Sequence, residues 1–485
     1  MKRKFITNLA LVLFLNLLVK PFWIFGIDRT VQNVVGTDGY GFYFSLFSFS
    51  LLLNILLDLG ITNFNNRSIA REPEKLRQYF SQIVGLRFLL ALFYAAICLL
   101  SGWLLGYDKA QLSMLWILIL NQFLASFILY LRSNISGLHY FRTDSMISVL
   151  DRTLVIIICG LLLWGNVTDK VFRIEWFVYS QTVAYAVTAL VTFGIVWYRA
   201  GNFRLQIDLQ GFKKIIRQSF PFALLILLMT FYNRIDSVML ERILENGRQQ
   251  AGIYAQSFRI LDAAGMFAFL FAGLLLPIFS RMIKKGQDVG EMVRLSFTLI
   301  IVPAATLAGL GLFYGFEIMD WMYNEHIGTS SRIFPLLMFG FMAISTTYIF
   351  GTLLTANGNL RELNILASTA VLINIVLNLI LIPEHQALGA AISSLVTQVY
   401  MALLQVIISI IKLRLISDYG FVTRLVVFVL VLFLLGYLAG RFMANWYQGA
   451  ILMILSSLAL MFITKLIRFK DLYRIIRFDE VNEES

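Results

Sequence analysis

Several cationic side chains of this chain stand inside long apolar runs, where a charge is costly. Lys20, Arg87, Arg152, Arg234 and Arg259 occupy such positions. A charged side chain at the centre of a bilayer costs at least ~2.5 kcal/mol, and such residues usually face a cavity or a charged partner. A set of cations at this depth suits an anionic ligand, and a diphosphate in particular. We therefore predict that these five residues form a cationic substrate-binding cavity.

Two carboxylates close to these cations are candidates for ion or proton coupling. Asp236 follows Arg234 by two residues, and Asp58 closes the second apolar run. Each also has a structural interpretation, because Asp236 could neutralise Arg234 and Asp58 could make a contact at a helix end. Arg259 and Asp262 are three residues apart, a spacing that also allows a structural ion pair.

Other charged residues lie close to predicted span ends, where solvation is ordinary. Asp28 and the pair Asp151-Arg152 belong to this group, with Arg152 one to two turns inside its helix. A long cationic side chain near a span end can also reach the headgroups. This snorkelling is the competing interpretation for Lys20 and Arg87.

The sequence predicts no catalytic residue, no metal ion and no cofactor. None of the three histidines has a cysteine or carboxylate at metal-ligand spacing, and the two cysteines lie in apolar runs. No G-x-x-x-x-G-K-[ST] phosphate loop occurs in the sequence. Transport powered by ATP hydrolysis in this chain is therefore excluded.

Membrane-spanning helices must position these residues. Hydrophobic residues make up 59% of the 485 positions, charged residues 14%, and the mean hydropathy is +0.78. Soluble domains carry about 25% charged residues, so lipid must contact much of this chain. Runs of roughly 17–25 apolar residues span a bilayer, and about fourteen occur here, which predicts an all-α polytopic membrane protein. The predicted spans are 5–26, 40–60, 79–105, 113–132, 143–165, 176–198, 218–240, 253–280, 293–315, 333–356, 363–383, 387–411, 425–444 and 450–467.

The distribution of lysine and arginine predicts the orientation. With the N-terminus inside, the inner segments hold most of the 40 basic residues, as the positive-inside rule requires. Both termini are then cytoplasmic. The net charge of +12 is explained by these loops, so we predict no nucleic-acid binding.

A weak internal repeat relates the two halves of the chain. The motif Gly41-Phe-Tyr opens the second predicted span, and Gly252-Ile-Tyr opens the eighth. The offset places Lys20 within one turn of Arg234, and each lies about 22–24 Å along its helix. The two halves would then present a cation at similar depth.

The repeat also predicts the domain organisation. Residues 1–212 and 213–415 would form two six-helix bundles of the same orientation, a plan known among transporters that bind substrate between the halves. Residues 416–485 would add two helices and a cytoplasmic tail.

Motifs distributed along the whole chain resemble one family. They are Gly36-Thr-Asp-Gly39-Tyr-Gly41, Asp58-Leu-Gly60-Ile, Asn66-Arg67-Ser-Ile-Ala-Arg71, Arg234-Ile-Asp236-Ser-Val-Met-Leu240, Gly252-Ile-Tyr254-Ala, Asn374-Ile-Val-Leu-Asn378-Leu-Ile-Leu-Ile-Pro383 and Leu388-Gly389-Ala-Ala-Ile-Ser393. In order and spacing they resemble the O-antigen and capsule repeat-unit flippases (Wzx-type) of the multidrug/oligosaccharidyl-lipid/polysaccharide (MOP) exporter superfamily.

The resemblance implies a V-shaped, MATE-like arrangement of two six-helix bundles around a central cavity. It implies a flippase for lipopolysaccharide, capsule or exopolysaccharide biosynthesis in the bacterial inner membrane. The implied substrate is an oligosaccharide linked to undecaprenyl diphosphate, moved from the cytoplasmic to the outer leaflet by alternating access, without chemistry on it. Membrane lipids, and polymerases or glycosyltransferases of the same pathway, are the implied partners.

Three alternatives stay open. A peptidoglycan-precursor flippase fits the charges equally well. A MATE-type cation-coupled drug antiporter would favour buried carboxylates over buried cations. A membrane polymerase or ligase would need a large outer loop, and the longest, near 316–332, offers Glu317, Asp320, Glu325 and His326 but little length.

Overall fold

The described part of the chain is built from helices, as its long apolar runs predict. The computed structural model describes residues 18–165, 167, 169–201, 209–415 and 418–467, and these ranges contain no strand. Within a bilayer every backbone N–H and C=O needs a partner inside the protein, which a helix provides. Many leucine, valine and tryptophan side chains remain exposed on the helices, as expected for surfaces that contact lipid. The chain is a multi-pass, all-α membrane protein.

Thirteen α-helices are present in the described ranges. They are α1 (Arg29–Leu52), α2 (Ile61–Arg71), α3 (Leu76–Leu104), α4 (Lys109–Gly137), α5 (Phe141–Trp164), α6 (Ile174–Ala200), α7 (Leu209–Ile243), α8 (Gly247–Lys284), α9 (Gly290–Met322), α10 (Ile327–Ala356), α11 (Leu360–Leu413), α12 (Tyr419–Phe442) and α13 (Trp446–Ile463). A π-helical segment, Phe22–Asp28, leads into α1, and short 3₁₀ turns at Asn54–Leu57 and Pro73–Lys75 flank α2.

Eleven helices in the described ranges are long and apolar enough to cross a membrane, or up to twelve if one bent pair forms a single span. The longest, α11, has 54 residues and would measure about 81 Å if straight, far more than a bilayer needs. It is broken at Gln386, where φ is 52° and ψ is −133°. The break separates the predicted spans 363–383 and 387–411. The first predicted span, 5–26, lies mostly outside the described residues, and the count of fourteen stays a prediction.

Two breaks interrupt the first part of the chain. Gly36 lies inside α1 with φ 73° and ψ 173°, a conformation that a side chain would disfavour. The second break follows Leu52 and includes Gly60 at φ 83°. The segments on either side of this second break are inclined by 53°. The predicted span 40–60 therefore ends in a bend rather than in a straight helix.

The chain divides into two compact units, Met1–Gly252 and Ile253–Ser485. In the first unit, a hydrophobic core forms among α3, α4 and α6 and includes Phe80, Phe127 and Tyr130. In the second unit, α12 and α13 pack on α9 through residues such as Phe428 and Met453. The predicted boundary at 212/213 follows the repeat instead of the contacts, and it stays a prediction.

Candidate functional site

Arg152 stands deep in α5 and is held by aromatic rings. Because α5 begins at Phe141, Arg152 lies about 17 Å along the helix, deeper than the one to two turns expected. Its guanidinium carbon is 5.4 Å from the ring centre of Trp23 and 5.6 Å from that of Tyr185. These cation–π contacts hold the cation without cancelling its charge. The side chain remains 32% exposed, which at this depth suits a polar opening.

Lys20 and Asp151 lie beside Arg152, and we call these three residues the cationic cluster. Asp151 Oδ2 is 3.6 Å from Arg152 Nε. Lys20 lies close enough to Arg152, Asp151 and Arg132 to interact electrostatically with each of them. Arg132 is itself paired with Asp144 at 2.7 Å. The cluster contains two cations and one carboxylate. It therefore keeps a net positive charge that an anionic ligand can use.

The π-helical segment positions the aromatic side of this cluster. Trp23 lies in that segment and stacks on Phe177 of α6, with ring centres 5.5 Å apart and planes within 2°. Tyr43 of α1 packs edge-on against the same Phe177 at 5.4 Å. A π-helical turn shifts the facing of later side chains and is frequent at functional sites. Three helical segments thus form the wall against which Arg152 rests.

Arg87 is buried in a different contact, at the bend between α1 and α2. Its side chain is 1% exposed and forms an ion pair with Asp58. It also donates to the Leu57 carbonyl at 2.5 Å and to the hydroxyls of Ser126 and Thr62 at 2.9 and 2.6 Å. Arg87 therefore uses its guanidinium to hold the bend together. Its predicted role in substrate binding has less support than that of Arg152.

Asp58 acts as a cap for the start of α2. Its carboxylate accepts the backbone N–H groups of Gly60 and Thr62, each at 3.1 Å. This is the helix-end contact that the sequence offered as the alternative to coupling. The ion pair with Arg87 adds to it, and the coupling role stays a prediction.

Asp28 was predicted to be solvated near a span end, and this is wrong. It is 2% exposed because the π-helical segment runs on into α1, which places Asp28 inside the helical layer. The Tyr40 hydroxyl donates to both carboxylate oxygens at 2.9 and 3.0 Å, and Gln32 donates at 3.1 Å. The four-residue spacing of Asp28 and Gln32 was the one sequence signal for this contact.

The other predicted site residues lie elsewhere. Arg234 is half-buried and Asp236 is buried on α7, in the first unit. Arg259, in the second unit, forms the ion pair with Asp262 that their spacing allowed, at 3.6 Å. The facing of Lys20 and Arg234 toward one opening stays a prediction. Within the residues described, no group of three or more histidine, cysteine, aspartate or glutamate side chains could hold a metal ion.

Comparison with known families settles the membership. Residues 11–283, more than half of the chain, match the family described as "Polysaccharide biosynthesis protein". The chain belongs to this family. The resemblance seen in the sequence motifs is thereby confirmed. A comparison with curated protein sequences gives no significant match.

Several solved structures share the fold. The lipid II flippase MurJ, in an inward closed conformation, has 15% identity over 97% of this chain and 100% of its own, with a TM-score of 0.72. An inward-facing MATE multidrug resistance transporter of the MOP superfamily has 14% identity over 84% of this chain and 97% of its own, with a TM-score of 0.59. A MOP superfamily transporter from Pyrococcus furiosus has 14% identity, coverage of 84% and 92%, and a TM-score of 0.53. The fold is that of MOP-superfamily transporters.

Proposed function

We propose that the chain is a flippase that moves an oligosaccharide linked to undecaprenyl diphosphate from the cytoplasmic to the outer leaflet of the bacterial inner membrane. Alternating access of the two repeat copies would carry the substrate, which would leave chemically unchanged. Lys20 and Arg152 would bind the diphosphate, and Arg234 would contribute from the second copy.

The cationic cluster carries this proposal. Arg152 is positioned by the rings of Trp23 and Tyr185 and pairs with Asp151 at 3.6 Å, and Lys20 adds a second cation to the cluster. An anion entering the cluster would therefore meet a cation that is positioned and still partly exposed. Membership of the polysaccharide biosynthesis family favours a saccharide as the transported group. The cationic cluster favours a substrate in which that saccharide is linked to a phosphate.

The test is flipping by the purified protein in proteoliposomes. Labelled undecaprenyl diphosphate oligosaccharide is placed in both leaflets, and its accessibility to an external enzyme is followed over time. Charge-assisted hydrogen bonds contribute about 1.5–3 kcal/mol, so Lys20→Met and Arg152→Met should each reduce the rate by about 10- to 150-fold. Arg152→Lys and Lys20→Arg should retain part of the rate. Arg361→Gln, which removes an exposed cation at the start of α11, is the matched control and should flip normally.

The same vesicles separate the alternatives. Faster flipping of a peptidoglycan precursor than of oligosaccharide repeat units would replace the repeat-unit substrate with that precursor. Export of a cationic dye driven by an imposed ion gradient, with no lipid flipping, would establish a drug antiporter. Lengthening of the saccharide chain would establish a polymerase. Normal flipping by folded Lys20→Met and Arg152→Met proteins would refute the assignment of the cationic cluster.

A further inference from the structure

A small cavity lies where one end of α4, the start of α5 and the end of α6 meet. Its volume is about 50 Å³, its walls include Ile135, Ile195 and Val196, and its rim includes Tyr140, Thr143 and Arg199. Ile135 and Val196 are buried, whereas Tyr140 and Arg199 are exposed. The cavity is therefore apolar inside and has a cation at its edge.

The length of α6 places this cavity at the level of the lipid headgroups. From Ile174 to Arg199 the helix rises about 38 Å, whereas the hydrocarbon core of a bilayer is about 30 Å thick. Arg199, in the last turn of α6, therefore reaches beyond the hydrocarbon. Trp197 and Tyr198 precede it and are both exposed, as is common for these residue types at a membrane surface. The distribution of basic residues predicts that this end of the helix faces the cytoplasm.

The turn between α4 and α5 positions an aromatic ring against Arg199. His139 adopts a left-handed conformation with φ 62°, and the Tyr140 N–H donates to the Ile135 carbonyl at 3.1 Å. The ring centre of Tyr140 lies 4.8 Å from the guanidinium carbon of Arg199. This cation–π contact holds the guanidinium at the rim and leaves its hydrogen-bond donors for another group.

The rim of the cavity carries a net positive charge. Arg142, in the first turn of α5, is a second exposed cation next to Thr143. The carboxylate of that turn, Asp144, already accepts two hydrogen bonds from Arg132, at 2.7 and 3.2 Å. Among the residues that the structure describes, no carboxylate forms an ion pair with Arg142 or Arg199. Both cations are therefore available to an anion.

Apolar walls beside fixed cations at headgroup depth match the chemistry of an anionic phospholipid, and basic pockets between helices on the cytoplasmic side are known to bind such headgroups. A sugar would leave its hydroxyl groups without partners against Ile135 and Val196. We propose that the cavity binds an anionic phospholipid of the cytoplasmic leaflet, with its phosphate at Arg199 and Arg142 and the glycerol end of one acyl chain against the apolar walls. None of the residues that line the cavity belongs to the cationic cluster, so this site is additional to the proposed function.

Photolabelling in vesicles tests the site. The full chain is reconstituted in phosphatidylcholine with a small fraction of phosphatidylglycerol that carries a photoreactive group near the glycerol end of one chain. Labelled peptides, identified by mass spectrometry, should include the α4–α5 turn and the end of α6. Arg199→Gln should reduce this labelling about fivefold, as expected for loss of one cation near a membrane surface. Arg77→Gln removes an exposed arginine of the first turn of α3, outside the cavity and at the same predicted membrane face, and should leave the labelling unchanged.

Two further comparisons test the apolar part of the site and the identity of its occupant. Thr143→Phe adds a ring at the rim and should reduce labelling by at least threefold while both cations stay in place. The same photoreactive group on phosphatidylcholine should label these peptides at most one fifth as strongly. Equal labelling by the two lipids, or equal labelling of the Arg199→Gln and Arg77→Gln proteins, would overturn the proposal. Competition by undecaprenyl diphosphate but not by unlabelled phosphatidylglycerol would also overturn it, because the cavity would then belong to the transported lipid. The measurement includes no transport step, so a failure of the proposed function would not change its result.

Discussion

Replacing Arg87 tests whether the bend between α1 and α2 depends on a buried ion pair. Arg87→Met removes the partner of Asp58, whose side chain is 26% exposed, and leaves the Leu57 carbonyl without its donor. Removing one member of a buried ion pair costs about 3–5 kcal/mol. The partial exposure of Asp58 favours the lower end, about 3 kcal/mol.

The expected change in melting temperature follows from the size of the unfolding unit. Unfolding entropy is about 2.1 cal/mol/K per residue, so a loss of ~3 kcal/mol lowers Tm by about 3 °C if the whole chain unfolds together, and by about 6 °C if the first unit unfolds alone. Thermal unfolding in detergent, followed by tryptophan fluorescence, measures it. The double variant Arg87→Met/Asp58→Asn should recover part of the loss, because it no longer leaves a charge unpaired. An unchanged Tm for Arg87→Met together with lost flipping would refute this reasoning and assign Arg87 to the substrate.

Two further predictions concern carboxylates. Asp28→Asn exchanges a charge-assisted hydrogen bond from Tyr40 for a neutral one, and we expect the free energy of unfolding to fall by about 1 kcal/mol. The change is measured as a lower Tm, and Tyr40→Phe should lower Tm by a similar amount. A Tm above that of the wild type would contradict this prediction. Asp418 has a pKa below its ordinary value because it accepts the backbone N–H of Phe421 and lies near Arg294. Its contribution to stability is therefore present above the ordinary aspartate pKa and disappears as pH falls through the lowered value. The Tm difference between wild type and Asp418→Asn should be positive at pH 7 and shrink below about pH 4, and a pH-independent difference would exclude this role.

The helical fold could be predicted from the sequence because apolar periodicity and length are local properties. The spacing of Arg259 and Asp262 was likewise enough to predict their ion pair, since both lie on one face of one helix. The breaks were harder to predict. The apolar run of α11 continues on both sides of Gln386, and only the backbone conformation shows where the helix changes direction.

Contacts between helices could not be predicted, because they depend on packing register. Arg87 and Asp58 are 29 residues apart, and nothing in either segment indicates that they meet. Asp28 was misjudged for a related reason. The predicted span ended at residue 26, whereas the observed helical run continues past Asp28 and buries it. The repeat pointed to Gly41 and Gly252 as equivalent residues, but not to their mutual contact.

The contacts of each cation within the helices determine whether that cation is available to bind an anionic ligand. Arg87 forms an ion pair with Asp58 and donates to neighbouring oxygens, and Arg259 is paired with Asp262 on its own helix. Arg152 contacts the faces of two aromatic rings, which attract a cation through their quadrupoles, and it also pairs with Asp151 at 3.6 Å. It differs from Arg87 and Arg259 in having a second cation, Lys20, beside it. A phosphate needs a net positive charge that is fixed in position, and a cluster of two cations and one carboxylate retains such a charge. The aromatic support of Arg152, with Lys20 beside it, is therefore the feature on which the proposal of an anionic lipid substrate rests.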